Sequence, residues 1–299
     1  MADGLVIEAV DLRKTYDGVE ALAGLTLAVP RGSICGFLGR TGSGKTTTIK
    51  LLLGMARPTS GHATVFGLPV GDPRASVEIR QRTGFVGDDK GLYDHMTVDG
   101  MVRYTASFFP RWRSDLEQRY LRKFELPAGR SIKALSRGMR TKLALLLALC
   151  RGADLLLLDE PTSGLDPAAT EEVLQALVGH VAGEEMSVFF SSHQIAEVEQ
   201  IADHVAIIDR GRTVLAGALE DLQQRFRRIH IVFDGDAPPV TFASPGVVRV
   251  RRSGRVLTVL SSAGVDSVLA EARALNPVST DSAPVTLKDI FLDIVKVED

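Results

Sequence analysis

Eight residues, Gly39-Arg40-Thr41-Gly42-Ser43-Gly44-Lys45-Thr46, fit the spacing G-x-x-x-x-G-K-[ST] and stand between an apolar run and a helix-forming one. Upstream, Ser33-Ile34-Cys35-Gly36-Phe37-Leu38 reads as a buried strand, and downstream Thr47-Thr48-Ile49-Lys50-Leu51-Leu52-Leu53 continues as a helix. Strand, loop and helix in that order are the context this spacing requires. The glycines let backbone N–H groups converge on one oxyanion, and the helix N-terminus adds its positive dipole end. Each charge-assisted hydrogen bond is worth about 1.5–3 kcal/mol, so several together hold a nucleoside triphosphate. In such a cradle Lys45 reaches the β- and γ-phosphates and the Thr46 hydroxyl coordinates Mg²⁺. The nucleotide-binding candidates are therefore Gly39, Arg40, Thr41, Gly42, Ser43, Gly44, Lys45, Thr46 and Thr47. A glycine-rich turn with a chance lysine is the competing reading, and the string alone does not decide between them.

A chain of 299 residues has room for one large domain plus a small one. Its net charge of −2 gives no support for a nucleic-acid partner. Cys35 and Cys150 lie far apart in apolar surroundings and read as reduced core residues, which points to a reducing compartment. Met1-Ala2-Asp3-Gly4-Leu5 has no secretory signal pattern, and the longest apolar run, Leu143 to Cys150, falls far short of the ~20 residues that cross a bilayer.

Leu5 to Val10 and Leu25 to Val29 read as strands, with Tyr16 beside the turn signal Asp17-Gly18. Tyr16 alone reads as a half-buried strand tyrosine, though an aromatic there could also stack on a purine. A strand from Thr83 ends on Asp88 and Asp89, and a helical pattern then runs from Thr97 to about Phe124, whose Phe108, Phe109 and Trp112 could form a partner surface, although aromatics at helical spacing are more often core. Ser136 is placed to cap a leucine-rich helix from Arg140 to Cys150. Leu155 to Leu158 is an apolar run of buried-strand length that ends on Asp159-Glu160. A helix from about Ala168 to Val181 follows, then the strand Ser187 to Ser192, which stops at His193. Alternating strands and helices complete an α/β core by about Gly217. From Ile229 the period changes to two, over Ile229 to Phe233, Val247 to Arg252 and Val256 to Leu260, with helices around Val265 to Ala274 and Leu287 to Val295. This β-β-β-α-β-α-like tail reads as a separate small α+β domain.

A phosphate loop, a strand ending at Asp88, a serine-capped loop before a helix, a strand ending in Asp159-Glu160 and a strand ending at His193 resemble, in that order, the nucleotide-binding subunit of ATP-binding-cassette (ABC) proteins. The resemblance covers roughly the first 220 residues. It implies a P-loop NTPase of ABC type, α/β, with a RecA-like α/β core, an antiparallel β subdomain and a helical subdomain at about 89–150. The expected domains are 1–222 and a C-terminal α+β domain at 223–299. By the same resemblance Asp159 holds the metal, Glu160 is the catalytic carboxylate that polarises the attacking water, His193 contacts the γ-phosphate, and Tyr16 stacks on adenine. Ser136, Arg137, Gly138 and Met139 form the signature loop that acts in trans across a dimer. Two departures stand out. Leu135-Ser136-Arg137-Gly138-Met139 replaces the family's common L-S-G-G-Q, and Asp88, a third candidate metal ligand, stands where a glutamine is usual. These departures are similar to the bacterial exporter branch whose membrane subunits are separate chains.

The resemblance thus implies a Mg²⁺-dependent ATPase with ATP as its nucleotide, working as a homodimer or as a heterodimer with a related ATPase subunit. It would dock on a separate transmembrane permease at the cytoplasmic face of the cell membrane, with no nucleic-acid partner. A soluble ABC ATPase serving a cytosolic protein assembly is the alternative. Fewer than a hundred residues separate Lys45 from Ser136, which leaves no room for a long coiled-coil insertion.

Overall fold

In the computed structural model, which describes residues 4–184 and 186–295, an antiparallel pair opens the chain. Strand β1 (Leu5–Tyr16) turns through Asp17 and Gly18, both at positive φ, into β2 (Val19–Pro30). Two successive left-handed residues match the twist of a hairpin, which is why Asp-Gly serves there. After β3 (Ile34–Gly39) and α1 (Lys45–Leu52), β4 (Ser60–Val65) and β5 (Leu68–Pro69) complete a four-stranded sheet in the order β2-β1-β4-β5.

The second sheet carries the chemistry. Following α2 (Pro73–Arg82) come β6 (Thr83–Val86), the helices α3 (Val98–Ala106), α4 (Ser114–Lys123) and α5 (Arg137–Leu149), then β7 (Leu155–Asp159), α6 (Pro167–Glu184), β8 (Ser187–Ser192), α7 (Ile195–Ile201), β9 (His204–Asp209) and β10 (Arg212–Ala218). The sheet order is β10-β9-β3-β8-β7-β6, and β3, β6, β7, β8 and β9 pair in parallel. Every residue of β3, β7 and β8 is buried, the signature of strands covered on both faces. Register places Leu38 beside Ser192 and Asp159 beside Ser191, so the carboxyl ends of β3, β8 and β7 open on one edge, where ligand chemistry collects in such sheets. A shared core from both sheets, including Ile7, Leu25, Phe37, Leu157 and Phe189, holds them together.

Helix α7 packs on β3 at Gly36, where a Cβ would lie 2.9 Å from Val198 Cγ2. Overpacking of this kind costs about 1–3 kcal/mol. Gly36→Ala is therefore expected to lower the thermal midpoint, by about 2–4 °C per kcal/mol in a domain of this size. An unchanged melting curve would show that α7 yields without cost.

Two expectations are corrected here. The helical pattern from Thr97 to Phe124 forms two helices, α3 and α4, because Phe109-Pro110-Arg111-Trp112 intervenes and proline can neither donate its amide nor continue a helix. The break is pinned by Arg113 N–H donating to Cys150 O at 2.7 Å and Trp112 Nε1–H to Glu117 at 2.7 Å. Nor are the aromatics all core: Phe108 is 61% exposed and meets Tyr104 edge-on at 5.1 Å, and Tyr104 in turn meets Tyr93 at 5.8 Å. Phe109 instead carries the Arg151 guanidinium 3.8 Å from its ring centre. Both cysteines are buried and free; burial, reinforced by Asp203, pushes the Cys35 thiol up to about 12, and burial pushes Cys150 up as well.

The chain divides into two compact units, Met1–Ala216 and Gly217–Asp299. The second contains α8 (Leu219–Arg225), β11 (Arg227–Val232), β12 (Val247–Ser253), β13 (Val256–Ser261), α9 (Val265–Ala274), β14 (Ser279–Pro284) and α10 (Leu287–Ile294). Its antiparallel sheet, β12-β13-β11-β14, buries Ile229, Ile231, Leu257 and Val259 against Val268 and Ala272 of α9. A capping box between Thr286 and Asp289 starts α10.

Candidate nucleotide site

The loop leaving β3 turns through Gly42 (φ 81°) and Gly44 (φ 110°) into α1. A side chain at Gly44 would meet Ala21 O at 2.8 Å, so this N-cap position is closed to any other residue. Gly44 offers no side-chain cap, which leaves the first N–H groups of α1 for an outside acceptor. The Ser43 hydroxyl is buried with no hydrogen-bond partner among the described residues. Lys45 is only 6% exposed; its ammonium donates to Gly39 O at 2.8 Å and Arg40 O at 3.2 Å and lies 3.2 Å from Glu160 Oε1.

Glu160 follows the tip of β7 with φ of +50°, a left-handed backbone that costs a glutamate about 1–3 kcal/mol. Ser191 fixes it from the next strand. Its Oγ accepts from the Glu160 N–H at 2.9 Å and donates to Asp159 Oδ1 at 2.8 Å, so one hydroxyl orients both acids. Glu160 Oε2 meets His193 Nδ1 at 2.6 Å, leaving the carboxylate held between Lys45 and the histidine. Beyond His193, the Ser192 hydroxyl accepts from Gln194 N–H at 2.9 Å and donates to Glu197 at 2.7 Å, bracing the turn into α7.

These groups frame a cleft of about 340 Å³. Thr41, Gly42, Gly44, Lys45, Thr46 and Thr47 line one side, and Asp88, Glu160, Ser163 and His193 the other. Asp159 lies behind, 4% exposed. Tyr16 does not line the cleft; it is 41% exposed at the end of β1 with the Lys14 ammonium 4.6 Å from its ring centre. Ser136 caps α5, its Oγ accepting from Met139 N–H at 3.2 Å, and none of Ser136 to Met139 lines this chain's cleft. The Arg137 guanidinium packs on Gly164, where a Cβ would come 2.8 Å from Nη2.

Lys90 escaped the sequence reading. Its backbone is left-handed (φ 59°), and its ammonium is buried with no hydrogen-bond partner among the described residues. Burial pulls its pKa down; the charges of Asp88 and Asp159 resist and that of Arg137 assists. A lysine two positions beyond Asp88 was the available signal. Because an unpartnered buried cation destabilises a fold, Lys90→Met is expected to raise the thermal midpoint. A lowered midpoint would mean that the acids around Lys90 already compensate it.

A parallel sheet that presents a glycine-lysine loop, an Asp-Glu pair and a histidine along one edge defines a P-loop nucleotide hydrolase. The family model described as ABC transporter matches residues 22–163. The bacitracin transport ATP-binding protein BcrA of Bacillus licheniformis is 33% identical over 225 residues, covering 75% of this chain and 73% of that protein. The Nod factor export ATP-binding protein I of Ralstonia nicotianae is 29% identical over 300 residues, covering 96% of this chain and 92% of its own length. A solved ATP-binding subunit of an ABC transporter superposes with a TM-score of 0.66 at 27% identity, over 73% of this chain and 92% of the other. The chain belongs to the ABC transporter family, as one of its ATP-binding, ATP-hydrolysing proteins. Among the described residues no helix is long and apolar enough to cross a membrane.

Proposed function

We propose that the chain binds Mg·ATP in the cleft at Lys45, hydrolyses it with Glu160 as the group that polarises water, and works as one of a pair of ATPase subunits driving a separate permease, in an exporter. The observation that carries this reading is the convergence of Lys45, Thr46, Asp88, Glu160 and His193 on one cleft. The loop N–H groups and Lys45 bind the phosphates, and a triphosphate competes with Glu160 for the Lys45 ammonium. Glu160, once relieved of that ion pair, is left with a carboxylate oxygen free to take the water's proton, while His193, hydrogen-bonded to its other oxygen, lines the same cleft and would contact the γ-phosphate. Positioning and charge neutralisation are what phosphoryl transfer needs, so no covalent intermediate is invoked.

The donors here suit Mg²⁺, a hard cation that takes oxygen ligands and keeps waters and substrate phosphates. Thr46 and Asp88, which line the cleft, and Asp159, oriented by Ser191, are the residues that would hold it. The ion would neutralise charge developing on the phosphates.

Ser136, Arg137, Gly138 and Met139 lie outside this chain's own cleft, which supports a role against nucleotide held by a second subunit, either another copy or a related ATPase. The exposed Tyr93, Tyr104 and Phe108 cluster suits a permease contact, with the chain on the cytoplasmic face of the membrane. Export is favoured by the Nod factor export protein, whose similarity runs over 96% of this chain.

Two measurements test the reading. ATP hydrolysis by the purified chain should stop on chelation of Mg²⁺ and return on its addition. A photocrosslinker in place of Phe108 should attach a polytopic permease in native membranes. Turnover indifferent to Mg²⁺, or crosslinks confined to soluble proteins, would count against it.

A further inference from the structure

We propose that the C-terminal unit carries a second anion site, for a phosphate group, on the sheet face opposite α9. This inference is independent of the nucleotide reading. Since side chains alternate along a strand, burying Ile229, Ile231, Leu257 and Val259 against α9 sends Arg228, His230 and Thr258 to the other face. Strand register lines them up: Arg251 pairs with Thr258 and Thr258 with His230, while Arg249 pairs with Leu260 and Leu260 with Arg228. Helix α10 walls this face, and between helix and sheet lies a cavity of about 330 Å³, close to the 340 Å³ of the nucleotide cleft.

Three guanidinium groups and two carboxylates line this cavity, and the carboxylates are already neutralised. Asp293, its side chain 6% exposed, takes Arg228 at 3.0 Å, Arg251 at 3.1 Å and Arg249 at 3.9 Å. Asp289 takes Arg228 at 2.8 Å and the Thr286 cap. Part of the cluster simply fastens α10: Arg249 Nη1 donates at 3.3 Å to the carbonyls of Leu292 and Asp293, at the helix C-terminus. That role leaves donors unspent. Arg228 Nε is buried with no partner among the described residues, the Arg251 side chain is 53% exposed, and the His230 ring has Thr258 Oγ1 at 3.4 Å.

One guanidinium charge in excess, an imidazole and the Thr258 hydroxyl on a single concave face suit a tetrahedral oxyanion that accepts from several directions. A phosphate monoester carries about −1.5 to −2 charges near neutral pH, so it takes up that single surplus charge and draws on the neutral hydrogen-bond donors for the rest. A planar carboxylate accepts along one bidentate edge and would leave donors on the neighbouring strands unmet. The cavity exceeds a bare phosphate, so the ligand class is a phosphate ester, either a soluble metabolite or a lipid headgroup.

The test uses the full chain with Lys45→Ala, which weakens the nucleotide cleft, and inorganic phosphate as the probe in calorimetric titration. Binding is expected to persist in that chain and to weaken about tenfold on adding Arg251→Ala, with Arg251→Lys regaining part of it. Arg251→Ala leaves Arg228 and Arg249 on Asp293, and an unchanged melting midpoint would exclude a folding loss. Flotation with vesicles containing phosphatidic acid distinguishes the sources: Arg251-dependent flotation assigns a lipid headgroup, and phosphate binding without flotation assigns a soluble ester. No phosphate binding by the Lys45→Ala chain, or binding unaltered by Arg251→Ala, overturns the proposal.

Discussion

Lys45→Met is expected to weaken ATP binding by about tenfold to somewhat over a hundredfold in an equilibrium titration, since the ammonium supplies charge-assisted hydrogen bonds worth about 1.5–3 kcal/mol. Methionine keeps the apolar stem packed where Lys45 is 6% exposed, so the change removes charge and little volume. It also releases the carbonyls of Gly39 and Arg40 that the ammonium now ties together, and it strips Glu160 of its cation. Part of the loss is therefore a looser loop. Affinity equal to that of the unaltered chain would place the triphosphate elsewhere.

Glu160→Gln separates binding from cleavage. A glutamine accepts a hydrogen bond from Lys45 but carries no charge to hold it, so the ammonium becomes easier for phosphate to draw away. ATP affinity is expected to match or exceed that of the unaltered chain, while steady-state turnover falls by about 10²- to 10⁴-fold, the usual worth of a positioned acid–base group. The peptide N–H at 160 still meets Ser191, so the strand end should keep its shape. Turnover within a few-fold of normal would remove Glu160 from the reaction.

How much of this could be read from the chain depends on the range of the interaction. Gly39 to Thr46 and the Ser136 cap are local patterns: a few consecutive residues dictate a loop or a helix start, and the structure builds both where the spacing puts them. Asp159, Glu160 and His193 were visible because apolar strands end on them. Ser191 was not, since a serine inside an apolar strand shows its purpose only when parallel register sets it beside Asp159. Lys90 is hidden for a similar reason: among the charges that act on its buried ammonium are Arg137 and Asp159, which are distant in sequence. Strand β14 fits the β-β-β-α-β-α order of the tail, but its residues do not announce it, because Ser279-Thr280-Asp281-Ser282 is polar, which an edge strand tolerates when β11 supplies its partners. Phe108 shows the reverse error, an aromatic given a core by its helical spacing that the fold leaves in solvent.

The most direct test of the account is to load the unaltered chain and the Glu160→Gln chain with Mg·ATP, remove free nucleotide, and identify what each protein still holds. The account expects diphosphate from the unaltered chain and intact triphosphate from Glu160→Gln. Diphosphate recovered from both at the same rate would contradict it.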